Sequence, residues 1–372
     1  MNRDRLIGEF LEMVQISSLS LNEGKFADSL VKKLVALGLE VCKDDAGEKS
    51  HGDTGNVIGR LPGDPKLPTV MFCAHMDTVT PGINIKPVIR DGVIYSDGST
   101  ILGGDDKAGI AAILEALRYV KENDIPHGDI EVVFTIAEEG GMYGAKNLDY
   151  SKINPAMAFI LDSGGEVGGV IVQAPAQMKI QATIHGKAAH AGVAPELGIS
   201  AIQVAARAIN NMKLLRIDSE TTANVGTIKG GTSSNIVCDR VELLFEARSL
   251  KREKLQAQID HMVGCINKAC EDFNTTCELN VYLSYAEVNI SPDSEVIKTV
   301  ERAMNRIGKK MELKATGGGS DTNVFSGNGL NAVTLAIGMT NVHTTSEYIA
   351  IQSIVDAADL VAAIIQEVKP LS

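Results

Sequence analysis

The chain has 372 residues, of which 35 are basic and 47 acidic, and its formal net charge of −12 opposes binding to nucleic acid or anionic lipid. No Lys/Arg-rich block interrupts that field. Hydrophobic residues make up 44%, an ordinary value for a folded protein, and aromatics only 4% with no tryptophan, so the core is expected to be aliphatic. The length exceeds what one hydrophobic core usually serves, so two domains are expected.

The chain opens on a helix with Leu6, Phe10, Leu11 and Val14 along one side. The first ten residues are charged and have no apolar leader, and no run of 18 apolar residues follows, so no membrane span is expected. A second helix begins near Ser20, where Ser20 with Glu23 fits a capping box. Phe26, Leu30, Val31 and Leu34 follow at helical spacing up to Gly38. Strands are predicted over 56–59 and 69–74, and 88–89 and 93–95 flank the hairpin signal Arg90-Asp91-Gly92. Residues 106–121 read as a helix, 130–137 as a strand buried on both faces, 141–149 as a short helix and 158–161 as a strand. This alternation predicts an α/β sandwich with a mainly parallel central sheet.

The pattern changes near residue 175. Residues 179–185 and 241–247 alternate, helices are predicted over 199–212 and 252–272, and 277–288 reads as a strand. Pro292 opens a new helix, and strand–helix alternation then resumes. The expected organisation is a larger domain of residues 1–177 and 289–372, interrupted by a smaller α+β domain of residues 178–288. Six cysteines (Cys42, Cys73, Cys238, Cys265, Cys270 and Cys277) form no C-x-x-C pair, and several sit in apolar or mixed segments. Buried thiols of this kind suit a reducing, cytoplasmic location.

Five places put a metal-capable residue at or soon after an expected strand end, where open α/β sheets build sites. His75 and Asp77 lie in Cys73-Ala74-His75-Met76-Asp77-Thr78, two residues apart, and share a face if the strand continues. Asp105 and Asp106 follow Gly103-Gly104 and open a helix; an acidic cap is the plain alternative. Glu138 and Glu139 stand side by side before Gly140-Gly141. Adjacent carboxylates repel unless a cation or proton intervenes, so one can ligate a metal while the other takes a proton from water. Asp162 ends the strand at 158–161, and His343 follows the apolar run 332–337. Mixed imidazole and carboxylate donors suit zinc, with manganese or cobalt as alternatives, and the number of carboxylates favours two ions per subunit.

Taken in order, His75-Met76-Asp77-Thr78-Val79, Gly104-Asp105-Asp106-Lys107-Ala108-Gly109, Glu138-Glu139-Gly140, Asp162-Ser163-Gly164 and the late His343 resemble the M20 family of zinc exopeptidases. That family includes peptidase T, glutamate carboxypeptidase, acetylornithine deacetylase and succinyl-diaminopimelate desuccinylase; the Gly-Asp-Asp-Lys-Ala-Gly run is most similar to the peptidase T branch. The resemblance implies that Asp105 bridges two ions, with His75 and Asp162 on one and Glu139 and His343 on the other. It makes Glu138 the general base, assigns Asp77 to orient His75, and implies a cis peptide between Asp105 and Asp106. It also implies that the inserted domain is a lid and a homodimer surface. There His190 would stabilise an oxyanion, in its own or the partner's site, and Asn235 and Arg248 would bind substrate. Read from the residues, the amides of the Gly-rich loop that includes Gly319 and Ser320 would line the substrate channel, with a plain flexible loop as the alternative. Read from residues alone, His190 is equally a loop hydrogen bond and Arg248 a surface charge. After His343 the chain reads Thr344-Thr345-Ser346-Glu347, unlike the Gly-Lys-His-Glu of tripeptidase members, so strict tripeptide specificity is not implied. The expected activity is hydrolysis of small peptides by a metal-held water, as a peptidase T-like aminopeptidase. The alternatives are a carboxypeptidase or N-acyl amino acid deacylase of the same family, and a metal-binding protein without catalysis.

Overall fold

The computed structural model describes residues 1–370. The chain forms two compact units. The first comprises Met1–Val172, Ile290–Ala315 and the chain from Ser320 onward; the second comprises Gln173–Asn289 with Thr316–Gly319.

In the first unit the main sheet runs, in spatial order, Glu40–Lys43, Val57–Leu61, Ile130–Thr135, Val70–His75, Met157–Gly164, Ala332–Thr340, Tyr348–Ala350, Val93–Ser96 and Pro87–Arg90. Its four central strands (Ile130–Thr135, Val70–His75, Met157–Gly164 and Ala332–Thr340) are mutually parallel, and the flanking ones antiparallel. Every residue of Val70–His75 and of Ile130–Thr135 is buried, which is why both read as unbroken apolar runs. Phe72 and Phe159 stack across neighbouring strands at 5.6 Å. The long helix Gly104–Glu122 packs on these strands and on the helices Arg3–Val14 and Ile351–Glu367. Asp105 and Asp106 have non-helical dihedrals, so the regular helix starts after them, close to the expected start. The hairpin turn has Asp91 and Gly92 both at positive φ, as a two-residue turn matched to strand twist requires.

The second unit is a five-stranded antiparallel sheet, ordered Leu215–Arg216, Thr221–Gly230, Arg240–Ser249, Ala176–His185 and Cys277–Tyr285. The helices Ala201–Asn211 and Arg252–Asp272 share a core with it that includes Ile180, Val204, Phe245, Leu255 and Met262. Along Arg240–Ser249, Val241, Leu243, Phe245 and Ala247 are buried while Glu246 and Arg248 occupy the alternate face.

Several expectations need correction. The strand Thr221–Gly230 has no counterpart in the sequence reading, because a bulge at Val225/Thr227 breaks its alternation. Strand Val70–His75 stops at His75, so Asp77 does not share its face through strand periodicity. Asp162, expected to end the strand at 158–161, lies inside the longer strand Met157–Gly164, and Arg248 lies inside Arg240–Ser249. The helix expected from Pro292 is Glu295–Arg306, with Ser294 at the cap position but making no side-chain cap bond. The Ser20–Glu23 capping box is absent: Glu23 is itself the cap residue of Gly24–Ala36 and makes no side-chain cap bond.

Candidate metal centre

Because the four central strands are parallel, their C-terminal ends lie along one edge of the sheet, and three of the expected groups emerge there. His75 is the last residue of its strand, Glu138 and Glu139 follow Ile130–Thr135 by a short turn, and Asp162 lies near the end of Met157–Gly164. His343 comes from the loop after Ala332–Thr340, with a left-handed backbone at φ 64°. Asp105 arrives from the start of the long helix, and its peptide bond to Asp106 is cis, as the resemblance implies.

Asp105 stands between two imidazoles. Its Oδ1 lies 3.0 Å from His75 Nε2 and its Oδ2 3.2 Å from His343 Nε2. On the first side Asp162 Oδ1 is 3.8 Å from the same His75 nitrogen; on the second, Glu139 Oε1 is 2.6 Å from His343 Nε2. Ligand-capable atoms of His75, Asp105 and Asp162, of Asp105, Glu139 and His343, and of His75, Glu138 and Glu139 each fall within 4.8 Å of one another. The groups share Asp105 and His75, so the cluster is one centre with two lobes.

The other ring nitrogen, His75 Nδ1, faces the Asp77 main-chain oxygen at 2.9 Å and its carboxylate Oδ1 at 3.4 Å. Asp77 thus holds the ring so that Nε2 points into the cluster. The same carboxylate accepts the Glu138 amide at 2.9 Å and the Glu139 amide at 3.2 Å.

The electrostatics describe a buried anionic pocket. Burial first, then the neighbouring carboxylates, push Glu138 and Asp162 well above the ordinary acid range. Burial would also raise Asp105, but hydrogen bonds from His343 and His75 override it and hold that group low. Asp105 and Glu139 draw His343 up to about 10. The donors are imidazole nitrogen and carboxylate oxygen, as a zinc-type site requires, so these residues fit a pair of divalent ions.

Two features around the cluster escaped the sequence reading. Glu347, 1% exposed, accepts the amides of Leu102 and Gly103 on Oε2 (2.8 and 2.9 Å) and of Asp105 on Oε1 (3.1 Å). It staples the His343 loop to the loop that delivers Asp105. Its signal was present as a glutamate four residues after His343, but only the fold supplies its three partners. Gly109 is the other: a Cβ there would lie 2.5 Å from Asp106 Oδ1 and 2.7 Å from the Leu161 carbonyl. The long helix can approach the strand bearing Asp162 only without a side chain at this point. Lys107 does not face the cluster; its buried Nζ donates to the Ile16 carbonyl at 2.7 Å.

The remaining expected residues lie apart in the chain. In the second unit, His190 pairs with Ile236 in a short bridge, and the Ala191 amide donates to the Asn235 carbonyl. Gly192 donates to His190 Nδ1 at 3.1 Å, which leaves the proton of a neutral ring on Nε2 as a donor. The Asn235 side chain accepts from Ser233 at 2.6 Å. Arg248 is not a free fork: Nε and Nη2 engage Glu246 at 3.0 and 3.2 Å, and Gln177 donates to the same carboxylate at 2.6 Å. Gly319 packs against Tyr285, whose ring a Cβ would meet at 2.5 Å. Ser320 belongs to the first unit, its hydroxyl 3.2 Å from that of Thr334 and its amide bonded to Asn323.

Residues 71–367 match the family described as Peptidase family M20/M25/M40. The chain is 45% identical to YqjE of Bacillus subtilis (strain 168) over 98% of its own length and 99% of that protein. Among solved structures it is similar to an aminopeptidase PepT from Bacillus cereus ATCC 10987, with 46% identity, 99% of both chains covered and a TM-score of 0.89. It is also similar to a tripeptidase from Staphylococcus aureus subsp. aureus Mu50, with 40% identity, 98% of both chains covered and a TM-score of 0.92.

Proposed function

The chain belongs to the M20/M25/M40 peptidase family, and from that premise we propose that it is a two-metal aminopeptidase of small peptides, with zinc as the cation and manganese or cobalt as substitutes. The observation that carries this reading is Asp105, whose two oxygens face two different histidines at 3.0 and 3.2 Å. One carboxylate shared in this way suits two neighbouring cations far better than one. His75 and Asp162 would hold the first ion and Glu139 and His343 the second. When bound, such a pair polarises the scissile carbonyl and makes water more acidic.

The chain's own groups then divide the work. Glu138 is aimed by the bond from its amide to Asp77. Its carboxylate takes the proton of the attacking water and returns it to the leaving amine. Asp77 keeps His75 Nδ1 protonated and its Nε2 free to ligate. In the second unit, the Nε2 proton of His190 is assigned to oxyanion stabilisation, and Asn235 and Arg248 to substrate binding. A homodimer through that unit remains part of the proposal. The PepT and tripeptidase neighbours support peptides over acyl amino acids as substrates.

The test is the variant Glu138→Gln. It should bind zinc as the wild type does yet lose about 10²-fold or more in kcat; near-normal turnover with zinc bound removes Glu138 from the reaction. A panel of free di- and tripeptides, N-blocked peptides and acyl amino acids decides the direction of attack. Preference for a free N-terminus is expected. Tolerance of a blocked one would make the protein a carboxypeptidase or a deacylase.

A further inference from the structure

Ser20 and Glu23 have the spacing of a helix cap but do not cap. Both side chains turn instead toward the segment that carries the paired glutamates. Glu23 is fully buried, and its Oε1 accepts the amides of Leu21 at 3.0 Å and Ala137 at 2.9 Å. Ser20 Oγ donates to Asp77 Oδ2 at 2.5 Å, and Asp77 accepts the amides of Glu138 and Glu139. Three consecutive amides, from Ala137 to Glu139, thus end on two buried carboxylates: one is Glu23 itself and the other is held by Ser20.

The turn needs such a hold. Ala137 sits at φ 46°, in the left-handed region that residues with a Cβ adopt uncommonly. The clamping segment is itself anchored: the Thr78 amide donates to the Ser18 carbonyl at 2.9 Å, the Asp53 amide to the Leu21 carbonyl at 3.2 Å, and Lys107 Nζ to the Ile16 carbonyl at 2.7 Å. Glu23 Oε2 has no hydrogen-bond partner among the described residues. Burial, with the Asp77 charge adding to it, pushes the Glu23 carboxyl up to about 7. The position therefore carries an electrostatic cost that an apolar contact would not incur.

We propose that Ser20 and Glu23 are positioning residues: they fix the main chain of Ala137–Glu139 and so set the aim of the Glu138 and Glu139 carboxylates. This rests on the reading of Glu138 as the proton-transfer group. It predicts that a neutral oxygen acceptor suffices at position 23. Because Oε2 makes no hydrogen bond among the described residues, exchanging it for the NH₂ of a glutamine breaks none, while the glutamine carbonyl keeps the bond to Ala137.

The experiment compares full-length, zinc-loaded wild type with Glu23→Ala, Glu23→Gln and Ser20→Ala by amide hydrogen exchange over residues 130–142, zinc content, kcat and KM. In Glu23→Ala, exchange at 137–139 should rise about tenfold or more while 130–135 stays protected. Its kcat should fall about tenfold or more, with KM within about twofold and zinc retained. Glu23→Gln should recover both exchange and kcat, and Ser20→Ala should show a smaller loss of the same kind. The proposal is overturned if exchange in Glu23→Ala matches wild type, or if exchange rises equally through 130–135 and Glu23→Gln gives no rescue. A wild type that turns over none of the peptides would instead sink the proposed activity; the exchange pattern still decides whether these side chains hold the turn.

Discussion

At Asp105 a single carboxylate lies between two imidazoles that come from opposite ends of the chain, and at Glu347 a single carboxylate takes three amides from the loop that delivers it. The first arrangement predicts that Asp105→Asn loses zinc from both lobes together, because an amide supplies one oxygen and no charge. Metal analysis showing half the zinc retained would mean that the lobes do not share this group. The second predicts a graded result. Glu347→Ala leaves buried amides without an acceptor, each at about 1–3 kcal/mol, and should lower both the melting temperature and zinc affinity. Glu347→Gln can satisfy only one side of the staple and should fall between; identity with wild type in both measurements would remove Glu347 as the organiser of the Asp105 loop. The candidate ligands were legible one by one, as acidic and imidazole residues after apolar runs. Glu347 was not, since a glutamate in a polar loop looks solvated until its three donors are brought to it.

Helix Arg3–Val14 meets helix Gly104–Glu122 through charges, with Arg5 on Glu115 and Glu122 and Arg118 on Glu9. Burial alone would push the Glu9 carboxyl up; Arg118 and Lys33 override it and hold it below the ordinary glutamate value. A depressed carboxyl stabilises the fold above the unfolded-state pKa, and that contribution is lost as pH falls through the folded value. Glu9→Gln should therefore be less stable than wild type at neutral pH, and the gap should close in acid. Urea unfolding against pH measures it, and a gap constant down to strongly acidic pH would contradict the pairing. At the other end of the same helix, Gly109→Ala should force Asp106 and the Leu161 carbonyl apart. Lost melting temperature and weakened zinc binding are expected together, while unchanged zinc affinity would show that the helix start tolerates the shift. The helix itself was legible from Ile110, Ile113, Leu114 and Leu117, but the reason for glycine at 109 lies in a strand more than fifty residues later.

Over the whole molecule, the proposed cation binding at the buried carboxylates of the first unit would make folding depend on the ion. A ligand bound only to the folded state adds about 2.7 kcal/mol at a free concentration of 100 times its Kd. Chelation should therefore lower the melting temperature and added zinc restore it, and calorimetry showing no response to either would argue against a resident cation. Among the described residues no helix is long and apolar enough to cross a membrane.

Hydrophobic periodicity and glycine placement are local properties, so the sequence alone determined that parallel strands alternate with helices, that a smaller α+β segment interrupts them, and that acidic and imidazole residues follow the strands. Whether those groups converge depends on strand order. Val70–His75 lies between Ile130–Thr135 and Met157–Gly164, and Ala332–Thr340 joins beside the last. That order follows from which buried faces and backbone edges fit one another across hundreds of residues, information that no local window contains. The tertiary structure therefore decided that Asp105 faces both histidines, that Ser20 and Glu23 serve the Glu138 turn instead of a helix end, and that Glu246 holds the Arg248 fork.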